Sequence, residues 1–434
     1  MKTPDRRKMQ RYSTLLLAAS LSVLTACSSS DDDDSAAIDE VPAATDGTDA
    51  DGDDADGTDG TDGDGDSGLA GGIAGLAVVS GATPTFDAGQ IEQFTIGDEI
   101  TASGTYPATL SDIVVRTDGT DVYQVGRFNI DSITRFTTDE FATPVYQYSV
   151  LQGETTPNTF DIVFASDTKA YVLQDGGTDI LIVNPEAATE EEFITGAIDI
   201  SVYDADAPNA VSGVIANGNL FVLMQRLTPS GFSFVPDQPG YVAVFDVETD
   251  EEIATGQGAD GLEGIELNTT NPLALQYVES LNEIVVTGRG NIFGEFNDLE
   301  GDPFVGGIEV IDVDSFENEL LLDDGTEDDN NGFFNGSLVV SDERGYIITS
   351  EGFQNNTLRS YNPTTGVLDE GIVAGLEGMD VITLGAGPLG RVWVAVGGVT
   401  PGFILIDPAD NSVVGDQVLT EFVPNTVVFI GSDS

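Results

Sequence analysis

The sequence predicts an all-β fold in which one four-stranded antiparallel sheet is repeated seven times. Three observations carry this prediction. The first is a unit that reads clearly at residues 335–371. There the apolar runs GSLVVS (336–341), GYIITS (345–350) and TLRSY (357–361) are separated by turn residues, and 367–373 supplies a fourth run. β-branched and aromatic residues bounded by Gly, Asn, Asp and Pro mark strands and turns. The second is the period. The first large residues of successive second strands are Leu76, Val122, Tyr171, Phe221, Ile284, Tyr346 and Val392, spaced by 46, 49, 50, 63, 62 and 46 residues. Four of these intervals are close to the length of one propeller blade, and two leave room for insertions. The third is a recurrent third strand, as in ILIVNP (180–185), VAVFDV (242–247), IEVIDV (308–313) and FILIDP (403–408). Each ends on Asn or Asp, as an Asx turn requires, and each is nearly continuous apolar, as suits a sheet packed on both faces. The fold is therefore read as a seven-bladed β-propeller.

Taken in order, the chain opens with a basic stretch, Met1 to Arg11, followed by an apolar run ending in Leu24-Thr-Ala-Cys27. A charged start, a short apolar core and small residues before the cut make a secretory signal, too short to span a membrane. Leu-Thr-Ala-Cys resembles a bacterial lipobox. The resemblance implies that residues 1–26 are removed and that Cys27, the sole cysteine, carries the lipid. The expected location is the bacterial outer membrane, periplasmic or surface-exposed. The expected membrane contact is the lipid anchor alone.

Residues 27–68 read as an acidic, disordered tether. From Ser28 to Gly68 there are sixteen Asp or Glu and no Lys or Arg. Such a segment has little apolar surface to bury, and a coil of this length spans roughly 35 Å before charge repulsion stretches it. Asp62-Gly-Asp-Gly-Asp66 partly matches the start of a calcium loop, but Ser67 and Ile73 stand where that loop needs Gly and Glu.

Residues 69–434 form the expected propeller. The last apolar run, NTVVFI (425–430), reads as a first strand with no second strand after it. The first repeat has a second strand with no clear first strand before it. The C-terminal strand is therefore expected to join the N-terminal blade and close the ring, removing two open edges. An open linear array is the alternative. The runs AYVLQDGG (170–177), VIDVDS (310–315) and LIDPADN (405–411) resemble the YVTN-type, surface-layer-like seven-bladed propellers. No blade carries the Tyr-Val-Thr-Asn tetrapeptide itself. The resemblance implies a fold and an envelope setting, and it carries no catalytic residue.

Composition bounds the chemistry. The chain has no histidine, 76 Asp or Glu and 14 Lys or Arg, for a formal net charge of −62. Imidazole-based triads and His-built zinc or haem sites are excluded. Nucleic acid is excluded as a partner by like charge. No cofactor is required. Any metal would be held by oxygen ligands, which favours calcium.

Loop lengths suggest a working face. Connections between second and third strands, and from blade to blade, leave from one face. The long runs 227–240, 255–271, 289–306 and 323–334 are assigned to it. The acidic run 323–334 makes Asp323, Asp324, Asp328 and Asp329 the candidate metal ligands. The run 227–240 carries Phe232 and Phe234 among prolines, read either as a protein contact or as a loop packed on its own domain. Five residues after the anchors stand Arg127, Arg226 and Arg289, three of only nine cations beyond Arg11. Convergent guanidinium groups hold carboxylate or phosphate by paired bonds, or else they pair with the abundant acids. The expected function is an envelope-anchored binding module presenting this face to a small ligand or to an envelope or extracellular protein. The alternatives are a calcium-dependent, lactonase-like hydrolase and a purely structural or adhesive surface protein.

Overall fold

The computed structural model describes residues 74–153, 157–230, 233–297, 299–352 and 354–431. Cys27, the signal, the whole of the tether at 27–68 and Phe232 lie outside them. The described chain forms seven four-stranded antiparallel blades, together with two short hairpins.

Each blade is built around a second strand with neighbours on both sides. Val122–Gly126 in blade 2 is wholly buried, and so are all but the first residues of Lys169–Gln174 and Asn219–Met224 in blades 3 and 4. Strands covered on both faces need apolar side chains on both faces, which explains the runs without alternation. The side chains fill the spaces between blades. Tyr171, Leu173 and Ile180 of blade 3 pack with Leu220, Val222 and Tyr241 of blade 4. Trp393 and Phe403 of blade 7 pack with Ala77 and Phe94 of blade 1.

Blade 1 closes the ring. Its inner strand is Val423–Ile430, paired antiparallel with Gly75–Ala82, and the register places Ser80 opposite Thr426. Their hydroxyls lie 2.7 Å apart. Neighbouring inner strands are also tied by side chains. Thr426 Oγ1 accepts the Val115 N–H at 3.0 Å, Ser212 Oγ accepts the Leu275 N–H at 3.1 Å, and Gln276 Oε1 accepts the Val339 N–H at 2.8 Å.

The turns after the third strands are the expected Asx turns. Asp246 Oδ1 accepts N–H bonds from Glu248 and Thr249, Asp312 Oδ1 from Asp314 and Ser315, and Asn362 Oδ1 from Thr364 and Thr365. The same turns reach a left-handed residue next: Asp250, Phe316 and Gly366. Phe316 is an unusual side chain for that conformation. Its ring sits 6.1 Å from that of Phe221, so packing offsets the backbone cost.

One part of the loop assignment is corrected. The run 255–271 does not leave from the long-loop face as a unit. Phe245 bridges Glu252, and Ile265–Glu266 rejoins the same third strand at Tyr241 and Val242. Residues 254–264 therefore interrupt the outermost strand of blade 4 on its rim. An outer strand has only one neighbour, so an insertion there breaks one ladder rather than two. The opposite face is also less uniform than expected. It carries the connection 184–193, which contains a single 3-10 turn at Glu190–Glu192.

Candidate functional site at the channel mouth

The inner strands surround the central channel. At its long-loop end, one backbone pattern recurs in blades 2 to 5 and in blade 7. The residue after the second strand donates its N–H to the residue just before the inner strand. The pairs are Arg127 to Asp112, Asp175 to Asn158, Gln225 to Asn209, Arg289 to Asn271 and Gly397 to Asp380. This ring fixes which side chains meet at the mouth.

The ring corrects the arginine column. Arg127 and Arg289 occupy equivalent positions, but Arg226 stands one residue beyond its equivalent, Gln225. The first large residue of a strand is not a fixed point. Val122 opens its strand, whereas Phe221 is third in Asn219–Met224. Arg226 instead braces the 225–240 connection. Its Nε donates to the Tyr203 carbonyl at 3.1 Å and its Nη2 to Gln238 Oε1 at 2.9 Å. The guanidinium lies 4.9 Å from the centre of the Tyr241 ring.

Arg127 lies with its guanidinium carbon 3.7 Å above the Phe160 ring and its Nε 3.2 Å from Asp112 Oδ1. Burial pushes its pKa down, and Asp112 and Asp175 oppose that. Below it in the channel wall, Arg116 Nε meets Asp161 Oδ1 at 2.6 Å. Arg289 makes one side-chain hydrogen bond, from Nη2 to Asn271 Oδ1 at 3.0 Å. Among the described residues no carboxylate lies within salt-bridge distance of it. Burial pushes its pKa down to about 10, with Asp175 opposing.

Asp175 feels the charge of both cations. Burial raises its pKa, while bonds from Asn158 and Asn209 and the charges of Arg127 and Arg289 lower it. Asn158 Nδ2 reaches its Oδ2 at 3.1 Å, and Asn209 Nδ2 reaches its Oδ1 at 3.2 Å. Gln225 Nε2 bonds Asn271 Oδ1 at 3.1 Å. The amides were missed in the sequence. Their signal is the repeated Pro-Asn at 157–158 and 208–209, and Asn271 before Pro272. All three Asn take left-handed backbone, with φ of 54°, 59° and 49°, a conformation that Asn tolerates better than most residues.

Several polar atoms at this mouth are buried without a hydrogen-bond partner: Asp112 Oδ2, Arg127 Nε, Asn158 Oδ1, Thr270 Oγ1 and Arg289 Nε. Buried polar groups are nearly always satisfied, so a concentration of exceptions marks a place for a ligand or water.

The other predicted residues fall elsewhere. Asp323, Asp328 and Asp329 are exposed beside the hairpin of Gly325–Thr326 and Asp329–Asn330. Asp324 is fully buried, and both its carboxylate oxygens lie 3.2 Å from the Gly306 N–H. Among the described residues, no three Asp, Glu, His or Cys are grouped to hold a metal. Phe234 is half-buried in the hairpin of Thr228–Ser230 and Ser233–Val235, and its carbonyl accepts Asn297 Nδ2 at 3.2 Å. A polar cleft of about 840 Å³ lies on the same face over blades 6 and 7, with Glu351, Arg359 and Asp380 in its lining.

These features define a β-propeller with a polar channel mouth. No protein-family profile and no curated protein matches the sequence. Among solved structures, the fold is similar to an ACO/RPE65 chimera, with a TM-score of 0.52 at 9% identity over 84% of this chain and 94% of that one. It is similar to the dihydro-heme d1 dehydrogenase NirN, with a TM-score of 0.51 at 12% identity over 84% and 77% of the two chains. It is also similar to a putative 6-phosphogluconolactonase from Bacteroides uniformis, with a TM-score of 0.51 at 11% identity over 82% and 100%. Three such different proteins share an architecture, so the likeness carries the fold and no chemistry.

Proposed function

We propose that the chain is an envelope-anchored binding module that takes a small anionic ligand at the long-loop mouth of its channel. The observation that supports this is Arg289. It is a half-buried guanidinium with one hydrogen bond, a buried and unsatisfied Nε and no described carboxylate partner, in a chain of net charge −62. The body as a whole repels anions, whereas here Arg127 and Arg289 offset part of the charge of Asp112, Asp131 and Asp175. Charge-assisted bonds from Arg suit a carboxylate or phosphate group. The anchor is Cys27, and the acidic segment after it is the tether holding the domain away from the lipid.

Calorimetry with acetate and inorganic phosphate tests the mouth. Arg289→Ala should weaken binding at least tenfold at unchanged melting temperature, and Arg289→Lys should weaken it less. Unchanged affinity in Arg289→Ala sinks the proposal. Anchoring is tested separately: Cys27→Ser should move the protein to the soluble fraction.

A further inference from the structure

We infer that the ligand is a carboxylate whose other end donates hydrogen bonds, an amino or hydroxy acid rather than a simple fatty or mineral anion. This rests on the mouth being the binding site, and it follows from the sign of the unsatisfied atoms around it. On the blade 5 side the open atoms are a donor, Arg289 Nε, and the Thr270 hydroxyl. On the blade 2 and 3 side they include two acceptors, Asp112 Oδ2 and Asn158 Oδ1, and the donor Arg127 Nε, which already lies 3.2 Å from Asp112 Oδ1. Asn158 is 5% exposed; its amide nitrogen bonds Asp175, and its oxygen meets no donor among the described residues. Asp112 Oδ1 is in ion-pair contact with Arg127 Nε, and its Oδ2 has no hydrogen bond.

A bare anion would satisfy Arg289 and leave both acceptors orphaned, and an unpaired buried acceptor costs binding free energy. A bare cation would meet Asp112 but leave Arg289 unanswered. Only a molecule carrying an acceptor group at one end and N–H or O–H donors at the other completes both halves. The arrangement also explains selectivity: a site built to hydrogen-bond a donor rejects the analogue that lacks it. Asp175 accepts from both Asn158 and Asn209 and so holds the amides in orientation.

The test uses three six-carbon acids that differ in their donors: hexanoate, 6-aminohexanoate and gluconate. Binding to the full-length protein is measured by calorimetry. At least one donor-bearing acid should bind tenfold or more tightly than hexanoate. Which one does so tells an ammonium from hydroxyl groups. Asp112→Asn, which keeps the shape, should remove most of that advantage. Equal affinity for all three acids overturns the inference while leaving the anion site standing. An advantage that survives Asp112→Asn also overturns it. Failure of all three acids to bind overturns the inference and the proposed function together. The wild-type comparison needs no variant, so a variant that folds poorly leaves the test intact.

Discussion

Arg135 and Arg289, two of the nine cations beyond Arg11, separate scaffold from site. Away from the mouth, Arg135 is saturated: its Nε meets Asp121 and its Nη2 meets Glu186, each at 2.6 Å, and its Nη1 reaches the Pro185 carbonyl. Burial opposes its charge, but the bonds to Glu186 and Asp121 more than restore it, so its pKa lies above the ordinary value. Lys169 is likewise held by Asp250 and by the Val247 carbonyl. At the mouth, Arg289 has one amide partner and a depressed pKa. The same residue type thus serves the fold where its bonds are complete and is left open where a ligand would complete them. A chain with so many acids had no shortage of partners for Arg289.

The largest expected effect breaks the scaffold itself. Ending the chain before Val423 removes the inner strand of blade 1 and exposes the edge of Gly75–Ala82. The truncated protein should aggregate and lose its cooperative thermal transition. Retention of the full melting temperature would mean that ring closure contributes nothing.

Next comes the saturated cation. Arg135→Ala leaves Asp121 buried without its partner, at a cost of about 3 kcal/mol in urea unfolding. A loss under about 1 kcal/mol would place Arg135 with the surface pairs and blur the division.

How much of this could be read from the sequence depends on what each feature rests on. Seven second strands and the closing strand were legible because burial on both faces writes itself as apolar runs, and the C-terminal run NTVVFI had no other sheet to join. The Asx turns were legible because Asp246, Asp312 and Asn362 act on the backbone two and three residues ahead. The mouth was only half legible. Arg127 and Arg289 stood out because cations are scarce, but the count from the anchors swept in Arg226, since strand starts differ in how many residues precede the first large one. Asn158 and Asn209 carry no charge and lie just before strands, where Asn is ordinary turn composition. Their meeting with Asp175 depends on blades 3 and 4 being neighbours, which no local pattern shows. The run 255–271 was misplaced for a related reason: loop length is visible in a sequence, but the strand that a loop interrupts is not.

A buried acid without a cation offers the mirror test. Asp324 is fully buried, and burial raises its pKa to about 7, with the Gly306 N–H lowering it and Asp323 raising it. The folded state therefore holds a proton that the unfolded chain releases near pH 4. Asp324 contributes stability below that range, and the contribution is lost as pH rises towards 7. Wild type should lose roughly 2 kcal/mol from this group between pH 5 and pH 8, read as a fall in melting temperature. Asp324→Asn keeps an acceptor for Gly306 and should flatten that part of the profile. An unchanged slope would assign the pH dependence to the general repulsion of the acidic surface instead.

The smallest effect carries the sharpest distinction. A base whose folded pKa lies below its ordinary value costs stability whenever it is charged. For Arg289, pushed down to about 10, that cost is present throughout the neutral range and is relieved only as pH rises from about 10 towards 12.5. Replacing it by an apolar side chain of similar length removes the half-buried charge. Asn271 Oδ1 keeps its bond from Gln225. Replacing buried charges by packed apolar groups is often neutral or stabilising, because their desolvation cost disappears with them. Arg289→Met should therefore change unfolding free energy by no more than about 1 kcal/mol, in either direction, while anion binding is lost. A loss of about 3 kcal/mol, the figure expected for Arg135→Ala, would show that Arg289 holds the fold together. The contrast between scaffold and mouth would then collapse, because the fold alone would account for a half-buried arginine at the channel mouth.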